Sequence, residues 1–261
     1  MSSKKKRGKK HEDLQIESVE DFRKYVQENG LTKRQNLSLC HQIFDILNLF
    51  YAVKCQLHLL YRNLIVRQPN LNYDDKIDQS LHEDWIAAVK LILDLESLSV
   101  PRSALPPSWN IGDYISLVVY MDGSQEMSIS KAFVRVAVNK EMTEFDANFL
   151  QASFKMGYLG PNSAVKTEFH SLSLATRQIQ LILSCWKHIQ FNEIFLLSDS
   201  KVCLGALHSF HARLKLFYAE KVLESQAVLK ENKVKTYYIP SKFNLAKDGG
   251  KRELNTNFCL E

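Results

Sequence analysis

The chain has 261 residues, 45% of them apolar, enough for one large domain or two small ones. Its net charge of +5 is concentrated at the start: the first ten residues carry +6, so the remainder sums to −1, which excludes a uniformly basic nucleic-acid binder and leaves only local basic patches. The absence of any eighteen-residue apolar run, and of an apolar stretch behind the lysine-rich start, excludes a membrane-spanning helix and a secretory signal.

Met1–Lys10 has the composition of a nuclear-localisation or nucleic-acid-binding arm, or equally of a solvated disordered tail, here taken as residues 1–17. Ser18-Val-Glu-Asp21 is a capping-box variant opening a short helix that Gly30 stops. From Leu37 to Arg67 apolar residues recur at helical spacing, predicting one long helix or two broken near Asn48, with Pro69 closing the stretch. Asn72-Tyr-Asp-Asp75 is similar to the metal-binding Tyr-x-Asp-Asp of reverse transcriptases, but the spacer is missing and no apolar strand flanks it. It is expected to be a polar turn capping a helix that begins near Asp78 and runs to about Leu98. Residues 18–100 thus form a helical region, and the prolines at 101, 106 and 107 mark a linker over 101–112.

After Trp109 the period changes. Ile115–Met121, Ala132–Val138 and Phe149–Met156 read as an antiparallel meander. Lys166 to about His188 is helical, with Leu172, Ala175, Ile179, Ile182 and Trp186 on one face, and Glu168 lies one turn ahead of Leu172 on that inward face. A carboxylate in a first turn is also explained by the helix dipole alone. Glu193–Leu197 is a fourth strand, Lys201 to about Lys230 a helix, Lys235–Ile239 a fifth strand, and Asn244-Leu-Ala-Lys-Asp248 opens a last short helix. The five cysteines (Cys40, Cys55, Cys185, Cys203, Cys259) show neither a disulfide framework nor zinc spacing, which fits a reducing interior, cytoplasmic or nuclear. His208 and His211 stand three apart with no partner ligands, so they are read as helix-surface residues rather than metal ligands.

Two strands carry chemistry. Leu117-Val-Val-Tyr-Met runs into Asp122-Gly-Ser124, and Phe195-Leu-Leu-Ser runs into Asp199-Ser200. Asp-Gly alone makes an adequate turn. Two buried strands each delivering a carboxylate, however, suggest a metal site at one edge of a sheet.

The order β-β-β-α-β-α-β with Asp122, Glu168 and Asp199 at these places resembles the ribonuclease H fold, an α/β mixed five-stranded sheet with flanking helices, over residues 113–261. The likeness is closer to the RNase H-like region of Bel/Pao-type retrotransposon polyproteins, the Pao retrotransposon "peptidase" family, and covers about residues 33–254. Val100-Pro-Arg102 is similar to its Ile-Pro-Arg, Asp122-Gly-Ser124 to its Asp-Ala-Ser, Lys166-Thr-Glu-Phe169 to its Arg-Leu-Glu-Leu, and Leu197-Ser-Asp-Ser200 to its Trp-Ser-Asp-Ser. Arg213-Leu-Lys-Leu-Phe217, Glu220-Lys-Val222 and Ile239-Pro-Ser-Lys-Phe-Asn244 have counterparts as well, and Phe44-Asp-Ile-Leu-Asn48 stands where many members have Phe-Asp-Pro-Leu-Gly. The family's Asn-Pro-Ala-Asp is departed from: Asn244-Leu-Ala-Lys247 puts a lysine in register and Asp248 one place later.

The resemblance implies metal-dependent hydrolysis of RNA in RNA–DNA hybrids, with two Mg²⁺ or Mn²⁺ ions held by Asp122, Glu168, Asp199 and Asp248. Ser200 would support Asp199 or cap the following helix. Lys155, Lys166, Lys201, Lys242, Lys251 and Arg252 are candidates for phosphate contacts, or else ordinary solvated side chains. Polymerase and integrase parts of a polyprotein are the implied protein partners. Neither is encoded here, so the expectation is a fragment, a decayed copy or a host-adopted piece. The alternative function is a catalytically inactive RNase H-like module that binds nucleic acid or a protein. An aspartic peptidase is disfavoured, because its catalytic turn needs Asp-Thr/Ser-Gly and the chain has Asp-Gly-Ser.

Overall fold

The structure, a computed structural model, describes residues 16–100, 103–137, 144–158, 163–209 and 214–250, less the side chains at 163 and 248–250. Helix α1 (Val19–Asn29) starts where the Ser18 hydroxyl accepts from the Asp21 amide at 3.1 Å, and ends at Gly30, whose φ of 70° a β-carbon would oppose. Helix α2 (Lys33–His41) opens on a Thr32/Gln35 capping box. Helix α3 (Tyr51–Arg67) follows a break at Asn48, φ 52°, so the two-helix reading of this stretch holds. Asp45 stabilises the break by accepting from the Leu49 and Phe50 amides at 3.0 and 2.7 Å.

At Asn72–Asp75 the Asp75 carboxylate accepts from the Asn72 amide at 2.9 Å and Asp74 pairs with Arg34 at 2.7 Å. The segment is a polar turn, but Asp78 rather than this turn caps the 3₁₀ turn Gln79–Leu81 leading into α4 (His82–Asp94). Phe22, Val26, Leu39, Leu57, Leu64, Trp85 and Val89 form the core among these four helices.

Strands β1 (Tyr114–Gly123), β2 (Met127–Ala137) and β3 (Phe145–Met156) form the antiparallel meander. They are longer than their apolar runs suggested, because polar residues at their ends still pair. β4 (Glu193–Ser198) and β5 (Lys235–Tyr238) run parallel to β1, giving the order β3-β2-β1-β4-β5. Helix α5 (Ser163–Cys185) lies on one face, burying Phe169, Leu172, Ala175, Ile179 and Ile182 against Leu117, Val119 and Met121.

The single helix expected from Lys201 to Lys230 is two, α6 (Lys201–His208) and α7 (Leu216–Glu231). The cause is local: Ser209 is extended and its hydroxyl turns back to the Gly205 carbonyl at 2.6 Å, while Lys215 is extended again. Both helices join the α5 face through Cys203, Leu207, Val222 and Leu229.

The opposite face is covered from the helical region. Cys55 on α3 is buried with Met127, Ile129 and Ala246, and Tyr51, Leu59, Tyr120 and Phe154 pack around them. The outward groups of edge strand β3 are capped as well: the Ala152 amide donates to the Leu47 carbonyl at 3.1 Å, and Asn48 Nδ2 donates to the Ala152 carbonyl at 3.0 Å. Among the described residues no helix is long and apolar enough to cross a membrane, and the described cysteines are unpaired.

A carboxylate cluster at the sheet edge

Parallel strands finish at the same edge. In the β1–β4 register Met121 faces Ser198, so the next residues, Asp122 and Asp199, emerge side by side. Asp122 is the penultimate residue of β1 and still pairs with Ile129, rather than following the strand as its sequence suggested. Asp199 lies just beyond β4.

Glu168 reaches the cluster through a glycine. A β-carbon on Gly123 would lie 2.3 Å from the Glu168 amide nitrogen and 2.4 Å from its Cα. The end of β1 and the first turns of α5 therefore touch backbone to backbone. Two further bonds hold α5 to the β1–β2 turn and the start of β2: Ser128 Oγ donates to the Thr167 carbonyl at 2.8 Å, and the Thr167 hydroxyl donates to the Ser124 carbonyl.

Each carboxylate has fixed partners. Ser200 Oγ donates to Glu168 Oε2 at 2.7 Å and accepts from the Cys203 amide at 3.2 Å, so it caps α6 as expected but supports Glu168 and not Asp199. Asp199 is held by Ser241, whose hydroxyl donates to Oδ2, and by Asn244, whose Nδ2 donates to Oδ1 at 2.8 Å. Asn244 is buried, and the same nitrogen donates to the Met121 carbonyl at 3.0 Å, while its own carbonyl oxygen accepts from the Ala246 amide at 3.1 Å. This one amide ties the ends of β1 and β4 together and starts the 3₁₀ turn Leu245–Gly250. Neither Ser241 nor Asn244 was singled out as a site residue. The signals for Asn244 were its place at the end of Ile239-Pro-Ser-Lys-Phe-Asn244 and at the start of Asn244-Leu-Ala-Lys247, both carried by the resemblance.

The electrostatics record the crowding. Burial first, and then the charge of Asp199, push the Asp122 carboxyl up to about 6; Lys247 and a hydrogen bond from the Gly123 amide oppose this, and Glu168 adds to it. Lys247, exposed on the 3₁₀ turn, is thus a cation that faces the cluster.

The donor set is oxygen-only and anionic, which suits a hard divalent cation, and it shares one edge of the sheet. In donor type these residues fit such an ion. Their spacing is wider than a closed coordination shell: among the described residues no three His, Cys, Asp or Glu side chains stand close enough together to hold one.

Lys155, exposed on β3, lies at the same end of the sheet through its pairing with Ser128. Lys166 lies 5.8 Å from the Tyr158 ring, Lys201 opens α6, and Lys242 precedes Phe243 beside the Ser241 hydroxyl that holds Asp199. The Asp248 side chain, Lys251, Arg252 and His211 lie outside the described residues, and His208 is exposed on α6.

The family described as Pao retrotransposon-like RNaseH-like domain matches residues 32–200. No curated protein matches the chain. Solved structures similar to it include RNase H1 from the halophilic archaeon Halobacterium salinarum NRC-1, at 12% identity and TM-score 0.33, covering 51% of this chain and 90% of that one. LC11-RNase H1 in complex with an RNA/DNA hybrid is similar at 14% identity and TM-score 0.34, covering 50% of this chain and 88% of that one. The foamy viral protease-reverse transcriptase in complex with dsDNA is similar at 9% identity and TM-score 0.43, covering 85% of this chain and 41% of that one.

Proposed function

The chain belongs to the Pao retrotransposon-like RNaseH-like domain family, and on that premise we propose that its sheet-edge carboxylates hydrolyse phosphodiester bonds in the RNA strand of RNA–DNA hybrids. The observation that carries the reading is the convergence of Asp122, Asp199 and Glu168 by parallel-strand register and the close approach at Gly123. Asp122, Glu168 and Asp199 would hold Mg²⁺ or Mn²⁺, with Asp248 as the fourth ligand. When bound, such ions supply charge stabilisation at the attacking and leaving oxygens of the phosphodiester.

The protein's own contribution is orientation. Ser241 and Asn244 hold both oxygens of Asp199, and Ser200 holds one oxygen of Glu168, so two of the three carboxylates are fixed before substrate arrives. Lys155, Lys166, Lys201, Lys242, Lys251 and Arg252 would contact the phosphates, and the 2′-hydroxyls would mark the RNA strand.

Purified protein with Mg²⁺ or Mn²⁺ is expected to cut the RNA of a labelled hybrid and leave duplex DNA intact. Asp199→Asn should abolish the cutting while leaving the thermal melt within a few degrees of wild type. Lys247 favours a second reading, an inactive module that only binds nucleic acid, because its ammonium already offsets the charge of Asp122. Hybrid binding without cleavage in either metal, across a wide range of salt, would select that reading.

A further inference from the structure

A strip of exposed aromatic side chains leads away from the cluster where β5 turns into the 3₁₀ turn Ser241–Phe243. Tyr238 is 49% exposed and Phe243 is 59% exposed. Each ring has an ammonium group against it: Lys201 Nζ lies 5.1 Å from the Tyr238 ring centre, and Lys242 Nζ lies 4.7 Å from that of Phe243. Between the two rings, Ser241 donates to Asp199, so the strip begins at the carboxylates.

β5 is also an edge strand, which could pair with another chain. It is only four residues long and has lysines against the rings on this side, both of which disfavour a second copy as the occupant. Rings for base faces alternating with cations for phosphates are complementary to a single nucleic-acid strand.

We propose that Tyr238 and Phe243, with Lys201 and Lys242, form a stacking platform for adjacent nucleotides of single-stranded nucleic acid beside the carboxylate cluster. The platform deepens the hydrolase reading and rests on it for the identity of the neighbouring site; binding itself needs neither metal nor cleavage. A single strand offers free base faces to the rings, whereas a duplex keeps its bases stacked on one another.

The test is fluorescence anisotropy of a labelled oligo-dT or oligo-U on the full chain in EDTA. Tyr238→Ala and Phe243→Ala should each weaken binding by about tenfold with the salt slope unchanged. Tyr238→Phe should bind like wild type, since the ring is kept. Lys201→Gln and Lys242→Gln should flatten the salt slope. A 2-aminopurine strand should be quenched by wild type and by Tyr238→Phe and less by whichever alanine variant folds, which keeps the test decisive if the other folds poorly. Equal affinity of wild type and both alanine variants, or equal sensitivity of duplex DNA to them, would overturn the platform. Stacking without hydrolysis would leave the platform standing and remove the hydrolase reading, and hydrolysis with indifferent aromatics would do the reverse.

Discussion

Asp122 carries the largest electrostatic strain in the cluster, and the strain has a sign. Its folded-state pKa of about 6 lies above the ordinary 3.8, so the folded protein holds this proton more tightly than the unfolded chain does. The group costs nothing below pH 4; stability is lost as pH rises from about 4 to 6, and the cost is complete above that window. Asp122→Asn removes the charge at nearly constant volume. The variant should equal wild type at pH 4 and exceed it at pH 7 by up to about 3 kcal/mol in urea melts. A variant that is weaker at pH 7 would mean that the carboxylate gains more from Lys247 than it loses to its neighbours. Gly123 makes the complementary case in steric terms. Gly123→Ala must move the backbone of α5 at Glu168, because the new carbon has nowhere else to go. A destabilisation of about 1–3 kcal/mol is expected, read as a lower denaturation midpoint.

At the level of elements, the two edges of the sheet are treated differently. The β3 edge is closed at Ala152 by residues 47 and 48, and helix α3 covers the face beside it. A bulge at Leu150, left unpaired between Gln151 and Phe149, bends β3 at this point. Asn48 is the hinge pin: it accepts the left-handed φ of 52°, donates to the Ala152 carbonyl, and accepts from Lys54 Nζ at 2.5 Å. Asn48→Ala should cost about 1–3 kcal/mol, through backbone strain together with the missing hydrogen bonds. Asn48→Gly, which keeps the φ and gives up only the bonds, should fall between wild type and the alanine variant; if alanine and glycine melt alike, strain plays no part. The β5 edge is left with Tyr237 and Tyr238 exposed.

For the whole molecule, charge is separated along the chain. The first ten residues hold +6, and the body presents acids at the cluster with scattered lysines around them. Deleting residues 1–10 should weaken nucleic-acid binding and flatten its dependence on salt, by about 0.9 in log–log slope for each duplex phosphate that the arm had neutralised. Titration of a hybrid from low to moderate salt measures this. An unchanged slope would assign the phosphate binding to body lysines such as Lys155, Lys166, Lys201 and Lys242.

Periodicity alone determined most of the order of helices and strands and the delivery of Asp122 and Asp199 by buried strands, because these depend on residues a few places apart; it left one helix or two open over residues 37–67, and it merged α6 and α7 into one. Placing Glu168 beside the two aspartates drew on a resemblance in order. What only the tertiary structure decided depends on distant segments meeting: the Met121–Ser198 register, the close backbone approach at Gly123 that brings in Glu168, the assignment of Ser200 to Glu168, and the cover of α3 over the sheet. Asn244 shows the difference most clearly. As a letter it is one polar residue in a turn. Folded, it is a buried amide joining two strand ends more than 75 residues apart in the chain, and that role exists only once the strands have met.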